Sequence, residues 1–519
     1  MKTFARSVAL ITIFAITTRA LGFVFRIFLS RVLGAELLGI YQIAFSFFMV
    51  FLVAISSGVP LAISRMVSTQ ASSNNQTHTF KAIIRSGLLI TLGTSIIIIA
   101  LTFAFQPLLS LVITDNRSMP ILLILLPALL AYSIYNVFRS IWWGQKKFFL
   151  LGVTELIEQV ARVIIFLILL AISFLFADMA IAAALSFTLA CFVSAIIVIV
   201  LYVKHRKPQN TISCVSHHTY NHKTILFRLS PTTHTLLKTS SPITAVKVIT
   251  TIAFPIIAIL LPLRLISAGW SSSDALAHFG IAVGMTLPLL SIPQTIISSM
   301  ATALIPELSS KQKNKEQVES QITSCIRFTL LINFILFPVF IALGPPIGIF
   351  LFANEQAGIY LAHSAWIMIP MSLSLITNAI LNALGRETRA MTHYVIGSIA
   401  LFICIWVLPQ FIGVGALIVG LGVCMSIASV LNIILIGKTT GADSKIIRLL
   451  FKFFLISIPS TFVGIFTQGT LATFMPLFFS LAITGTLTVT VLLTLATMFK
   501  LIDLRDIKSK LQRRKEKKA

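Results

Sequence analysis

Acidic residues are scarce in this chain: 15 Asp and Glu stand against 40 Lys and Arg in 519 residues, and charged residues of both signs make up only 11%. With 57% hydrophobic residues and so little charge, the chain would expose long apolar runs to water as a soluble globule, so it reads as an integral membrane protein. Cysteine is also rare. Cys191, Cys214, Cys325, Cys404 and Cys424 form neither a CxxC pair nor a cluster, which argues against a disulfide framework or a metal site and leaves packing as their role. Missing too are the Ser/His/Asp, HExxH, Walker and Rossmann patterns in any usable context, so an enzyme is not expected. GVGALIVGLG, at 413 to 422, is a helix-packing glycine series and not a nucleotide loop. Trp and Tyr number 5 and 7 against 40 Phe, and most Phe fall in Leu/Ile-rich runs, where they face acyl chains.

The surplus of base amounts to a formal +25, but it is spread over short interhelical segments and the tail, so membrane topology and not nucleic acid accounts for it. Lys2 and Arg6 before an apolar run imitate a signal peptide. Arg19 and Arg26 break that run and no A-x-A site follows, so the segment is expected to stay as the first helix.

Windows of about 20 apolar residues, enough to cross a ~30 Å hydrocarbon core, predict helices near 7 to 29, 37 to 66, 83 to 105, 119 to 141, 153 to 175 and 178 to 203. Further helices are predicted near 240 to 263, 279 to 305, 325 to 350, 359 to 384, 390 to 408, 412 to 437, 449 to 467 and 472 to 499. The expected fold is an all-α polytopic membrane protein of about 14 transmembrane helices. Its organisation is expected to be an N-terminal six-helix half (1–203), a linker (204–239), a pseudo-symmetric six-helix half (240–437), two appended helices (438–499) and a basic tail (500–519). Bases collect in alternate loops: Arg65, Lys81 and Arg85; Lys146 and Lys147; Lys204, Arg206 and Lys207; Lys311, Lys313 and Lys315; Arg386 and Arg389; Lys438, Lys445, Arg448 and Lys452. By the positive-inside rule these loops, the linker and both termini are cytoplasmic. The linker's His217, His218 and His222 have only Cys214 nearby, and no metal is expected.

Three groups of charges fall inside predicted spans. Arg19 and Arg26 are seven residues apart, within about 20° on one helix face, with Gly22 between them. Arg19 lies roughly 18 Å into its helix, where facing lipid would cost at least ~2.5 to 3.5 kcal/mol, so it is expected to face the bundle interior or a wet cavity. Neutralising a nearby carboxylate, or snorkelling in the case of Arg26 and Arg31, stays open as the structural alternative. In TELIEQVARV, residues 154 to 163, Glu158 and Arg162 stand at i, i+4 with the acid first, the better orientation for a pair. That pair is either a structural salt bridge or part of a polar cavity in which Glu158 takes up a proton. Lys247, near a cytoplasmic end, reads as a snorkelling residue. Gly58 and Pro60, and Pro288 and Pro293, interrupt helices where bundles must bend and are the expected hinges.

TRALGFVFRIFLSRVLG, LGIYQIAFSFF, SSGVPLAISRMVS, FRSIWWGQ followed by ELIEQVARV, and GMTLPLLSIPQTIISSMATALIPELS together resemble the stage V sporulation protein B group. This group lies in the polysaccharide-transporter branch of the MOP (multidrug, oligosaccharidyl-lipid, polysaccharide) exporter superfamily. The resemblance spans about the first 310 residues by motif and the rest by topology. It implies two pseudo-symmetric halves and a cationic central cavity. It also implies that Arg19 and Arg26 engage a substrate pyrophosphate, for which arginine's planar, permanently charged fork is suited. The eighth-helix arginine of peptidoglycan-precursor flippases has no counterpart in GMTLPLLSIPQTIISSMATAL; Arg264, just before it, is the nearest candidate. The expected function is thus a flippase for a polyprenyl-pyrophosphate-linked saccharide, with the peptidoglycan precursor lipid II for spore cortex as the leading cargo. No cofactor is expected, an ion gradient or the membrane potential supplying the drive. The expected partners are the lipid-linked oligosaccharide, membrane lipids and cell-wall synthesis machinery. Export of another lipid-linked polysaccharide or of a drug, and a membrane glycosyltransferase or polymerase, are the alternatives.

Overall fold

The computed structural model describes residues 2–70, 80–172, 178–204, 231–310, 315–440 and 443–499 together with Leu501, and among these every regular element is helical. The first stretch holds α1 (Lys2–Ser56) and α2 (Gly58–Gln70), and it is followed by α3 (Phe80–Ala104), α4 (Gln106–Val112) and α5 (Ser118–Leu125). Next come α6 (Ala128–Gly144), α7 (Phe148–Ala171), α8 (Met179–Lys204), α9 (Pro231–Thr251), α10 (Ala253–Ser267) and α11 (Ser272–Gly280). A π-helical turn at 281–286 leads into α12 (Leu287–Leu290) and α13 (Ile292–Ser310). The remaining helices are α14 (Lys315–Phe352), α15 (Glu355–Ser364), α16 (Met368–Ala383), α17 (Glu387–Val407), α18 (Pro409–Ile412), α19 (Gly415–Thr440), α20 (Asp443–Leu471) and α21 (Leu477–Met498).

Each predicted span overlaps at least one of these helices. The loop expected between 29 and 37 shrinks to one residue, Gly34 (φ 71°, ψ −178°), which redirects α1 without ending it because glycine has no Cβ to clash. Twelve helical stretches among the described residues are long and apolar enough to cross a membrane. The first, Phe14–Thr69, passes through Gly34 and so covers two of the predicted spans. Phe148–Ala171, the span expected near 153 to 175, is not among the twelve because it carries Glu155, Glu158 and Arg162. The predicted total of about 14 counts the first stretch twice and adds this one. Hydroxyls inside these spans are returned to the backbone of their own helix, as Thr91 does to the Gly87 carbonyl at 2.9 Å and Thr488 to that of Thr484 at 2.7 Å.

Packing divides the described residues into two units, one of residues up to Leu33 with Ile40–Ile259, the other of Gly34–Gly39 with residues from Leu260 onward. This moves the expected boundary. Residues from 240 were assigned to the second half, yet α9 packs with the first unit: Leu236 joins a core with Val59, Ile63, Ile83, Val137 and Ile141, and Thr233 donates to Ser86 at 2.9 Å. The part of the expected linker from 231 to 239 is therefore helical, since Thr233 and Leu236 find buried partners on α2 and α3. Residues 205–230, with Cys214 and the three histidines, lie outside the described residues, as does the tail from 502.

Within the first unit α6 is the inner helix. One face enters the α2–α3–α9 core through Val137 and Ile141, and another packs Tyr135 and Trp142 against Leu150 and Leu151 of α7 and Val198 of α8. The second unit is held by α14 and by a buried hydrogen-bond chain: Ser372 donates to Asn333 Oδ1 at 2.9 Å, and Asn432 Nδ2 donates to Thr377 and Asn378 at 3.1 and 2.8 Å.

Candidate functional site

The turn between α6 and α7 is three residues long, with Lys146 in the left-handed region (φ 57°), and it folds α7 back antiparallel to α6. Polar residues on the two facing surfaces meet. Arg139 Nη2 on α6 donates to Glu155 Oε2 on α7 at 2.7 Å, and its guanidinium lies 5.4 Å from the Tyr135 ring centre. Two turns along α7, Arg162 Nη2 donates to Glu158 Oε1 at 2.8 Å and Nη1 to Gln159 Oε1 at 3.3 Å, while the guanidinium sits 4.5 Å over the Phe187 ring. The Glu158 and Arg162 side chains keep only 10% and 18% exposure, so this is a desolvated pair, in which losing one partner is far costlier than the pair's net worth when intact.

Helix α1 lies along α7 in a definite register. Phe14 packs on Phe149 and Gly152, Gly22 faces the Gln159 amide, and Phe25 and Phe28 both meet the edge of Phe166. These contacts advance together along both helices, so α1 and α7 run parallel. In that register Arg19 comes level with the turn carrying Glu155 and Glu158, and Arg26 level with Arg162. Arg19 is exposed and Arg26 half-buried. Tyr41, beyond the Gly34 kink, is within Coulombic range of both Arg26 and Arg162. The structure thus gathers Arg26, Glu158 and Arg162 in one unit, with Arg19 one to two turns away along α1.

Arg139 and Asn136 belong to the same cluster but are missing from the sequence-derived set, whereas Glu155 falls within TELIEQVARV. The signal for Arg139 was present: it is an arginine inside the apolar window 119 to 141, the same argument that marked Arg19. Of the three half-buried guanidiniums, Arg139 and Arg162 are carboxylate-paired, whereas Arg26 has no carboxylate at ion-pair distance among the described residues. The excess charge of the cluster is positive.

The other expected positions lie elsewhere. Arg264, in the second unit, donates its Nε to the Trp406 carbonyl at 2.9 Å and stacks 4.7 Å over that ring, which ties α10 to α17. Gly58 follows a bend at Ser57, and a Cβ there would overlap the Ser240 carbonyl and Thr244 hydroxyl of α9, so close packing requires the glycine. Pro60 is in the first turn of α2, Pro288 stands in the first turn of α12 after the π-helical segment, and Pro293 is in the first turn of α13 after a turn at Ser291. No group of three or more His, Cys, Asp or Glu able to hold a metal occurs among the described residues.

Comparison with known proteins places this geometry in context. Residues 4–312 match the family model described as polysaccharide biosynthesis protein. The chain is similar to stage V sporulation protein B of Bacillus subtilis (strain 168), 25% identical over 402 residues that make up 77% of the chain and 76% of the relative. Among solved structures it superposes on the lipid II flippase MurJ in an inward closed conformation (TM-score 0.67, 16% identity, 96% of this chain and 99% of the other). It also superposes on a multidrug resistance MATE family transporter of the MOP superfamily in an inward-facing conformation (TM-score 0.63, 16% identity, 83% and 95%). The fold is that of these transporters.

Proposed function

The chain belongs to the polysaccharide biosynthesis protein family, and on that premise we propose that it is a flippase that carries a polyprenyl-pyrophosphate-linked saccharide across the cytoplasmic membrane by alternating access. The observation that carries this reading is the charge imbalance in the first unit: Arg26, Arg139 and Arg162 against Glu155 and Glu158, with Arg19 on the same helix face as Arg26. A guanidinium that is desolvated and has no carboxylate beside it favours an anion, and a diphosphate can accept two hydrogen bonds at once from its planar fork. A binding site for a cationic drug calls for spare carboxylates; here both are occupied by arginine.

Arg19 and Arg26 are assigned to the diphosphate. The Glu158–Arg162 pair lines the same region. Arg264 is left the lesser part, because Trp406 already holds its guanidinium. Gly58, Pro60, Pro288 and Pro293 mark the bends about which the helices move. The peptidoglycan precursor is the proposed cargo, by likeness to the sporulation protein and the lipid II flippase. The drive is an ion gradient or the membrane potential, with Glu158 the candidate proton carrier, and the chain makes and breaks no bonds. Both termini are assigned to the cytoplasm. The parallel run of α1 and α7 supports this for the N-terminus, since it puts the start of α1 on the side of the Lys146–Lys147 turn.

Purified protein in liposomes, given a labelled polyprenyl-pyrophosphate saccharide, is expected to move the lipid between leaflets and release no polyprenyl pyrophosphate. Release of polyprenyl pyrophosphate without lipid movement would instead make the chain a glycosyltransferase or polymerase.

A further inference from the structure

Burying a polar atom without a hydrogen-bond partner is unfavourable, so such atoms are few and scattered in most folded chains. Here six of them lie on three packed helices of the first unit: Thr18 Oγ1 on α1, Tyr135 Oη, Asn136 Nδ2 and Arg139 Nε on α6, and Gln159 Nε2 and Arg162 Nε on α7 are buried without a partner among the described residues. Their registers bring them together. The Arg139–Glu155 pair sets α6 against α7 so that Asn136 comes level with Gln159. Gly22, one turn beyond Thr18, approaches the same Gln159 amide, and a Cβ added there would lie 3.6 Å from Nε2. Tyr135 is within Coulombic range of Glu155 and Glu158. Gln159 and Tyr135 are 8% and 1% exposed, whereas the Arg139 and Arg162 side chains keep 21% and 18%, so the group has an open edge.

The chemistry of this group differs from that of the diphosphate arginines. Four of the six atoms are N–H donors and two are hydroxyls. The charges of Arg139 and Arg162 are already cancelled by Glu155 and Glu158 through their terminal nitrogens, which leaves the Nε–H groups as donors in a locally neutral setting. A surface rich in donors, poor in free acceptors and without net charge matches a neutral ligand dense in oxygen acceptors. We infer that this face of α1, α6 and α7 binds the saccharide part of the lipid-linked substrate, with Asn136 and Gln159 donating to its hydroxyl and carbonyl oxygens. The inference rests on the flippase reading above and assigns a second, neutral subsite beside the cationic one.

The test compares two probes on the purified full chain in lipid nanodiscs: polyprenyl pyrophosphate alone, and the same lipid carrying its disaccharide. Wild type is expected to bind the saccharide-bearing lipid more tightly. Gln159→Leu and Asn136→Leu, each near its parent in size, are expected to reduce the ratio of the two affinities about fivefold, the worth of one neutral hydrogen bond. Gln159→Glu keeps the packing but puts an oxygen where the donor was, and it should reduce the ratio further. Arg26→Ala should weaken both probes together. An unchanged ratio in all three donor variants, each monodisperse, overturns the saccharide subsite. Equal binding of both probes by wild type does the same while leaving the flippase reading in place. Failure of wild type to bind either probe overturns that reading as well.

Discussion

Arg162 is held by a desolvated ion pair and an aromatic ring, and its replacement has a direct consequence for stability. With Glu158 opposite, its guanidinium is neutralised and capped by the Phe187 ring; without it, the carboxylate would be left desolvated. Arg162→Ala is therefore expected to destabilise the protein by about 3 to 5 kcal/mol, and Glu158→Gln, which keeps a hydrogen-bonding oxygen, by clearly less. Thermal midpoints of the solubilised protein check this, and equal, small shifts for both variants would speak against a desolvated pair. Asp115, in the loop between α4 and α5, gives a pH signature. Burial pushes its carboxyl up, but the Arg117 side chain, at 2.8 Å, together with the Arg117 backbone N–H holds it below the ordinary carboxylate value. A lowered folded pKa means stability that is present above the unfolded value of ~3.9 and lost as pH falls through the folded one. Arg117 is half-exposed, so solvent screening keeps the effect small. Between pH ~6 and ~3 the wild-type midpoint should fall slightly more than that of Asp115→Asn; parallel curves would contradict the assignment.

Among the elements, Gly58 decides how closely α2 approaches α9. A methyl group there meets backbone oxygen, which cannot rotate away, so Gly58→Ala is expected to cost about 1 to 3 kcal/mol, read as a lower thermal midpoint. An unchanged midpoint would mean that α9 does not pack there. The sequence showed Gly58 only as a helix breaker, because its packing partners, Ser240 and Thr244, lie far along the chain and only the fold brings them to it. For the same reason the start of α9 at Pro231 was not legible: Thr232 and Thr233 look like loop residues until the packing of α9 buries them. Hydrophobic windows did locate the spans, since a run of apolar residues needs no tertiary information to be recognised. Glu158 and Arg162 were legible as a pair because the helix alone sets their spacing. The partnership of Arg139 with Glu155 depends on the short turn at Lys146, and only the hairpin reveals it.

For the whole molecule, alternate basic loops and the parallel α1–α7 contact both place the N-terminus and the Lys146–Lys147 turn on one side of the membrane. In a variant lacking the native cysteines, a Tyr220→Cys substitution is expected to resist an impermeant reagent added outside intact cells and to react once the membrane is opened. Labelling from outside would break the topology. The central claim, that guanidiniums of α1 hold a lipid-linked diphosphate, is tested most directly by transport of labelled lipid in liposomes, normalised to the amount of inserted protein, for Arg19 and Arg26 variants. Substitution of either by Lys keeps the charge and loses the fork, so normalised transport should fall; substitution by Ala should lower it about tenfold or more, the scale of a lost charge-assisted hydrogen bond. Full normalised transport by Arg19→Ala and Arg26→Ala, with only the protein level reduced, would show these arginines to be structural and would contradict the account.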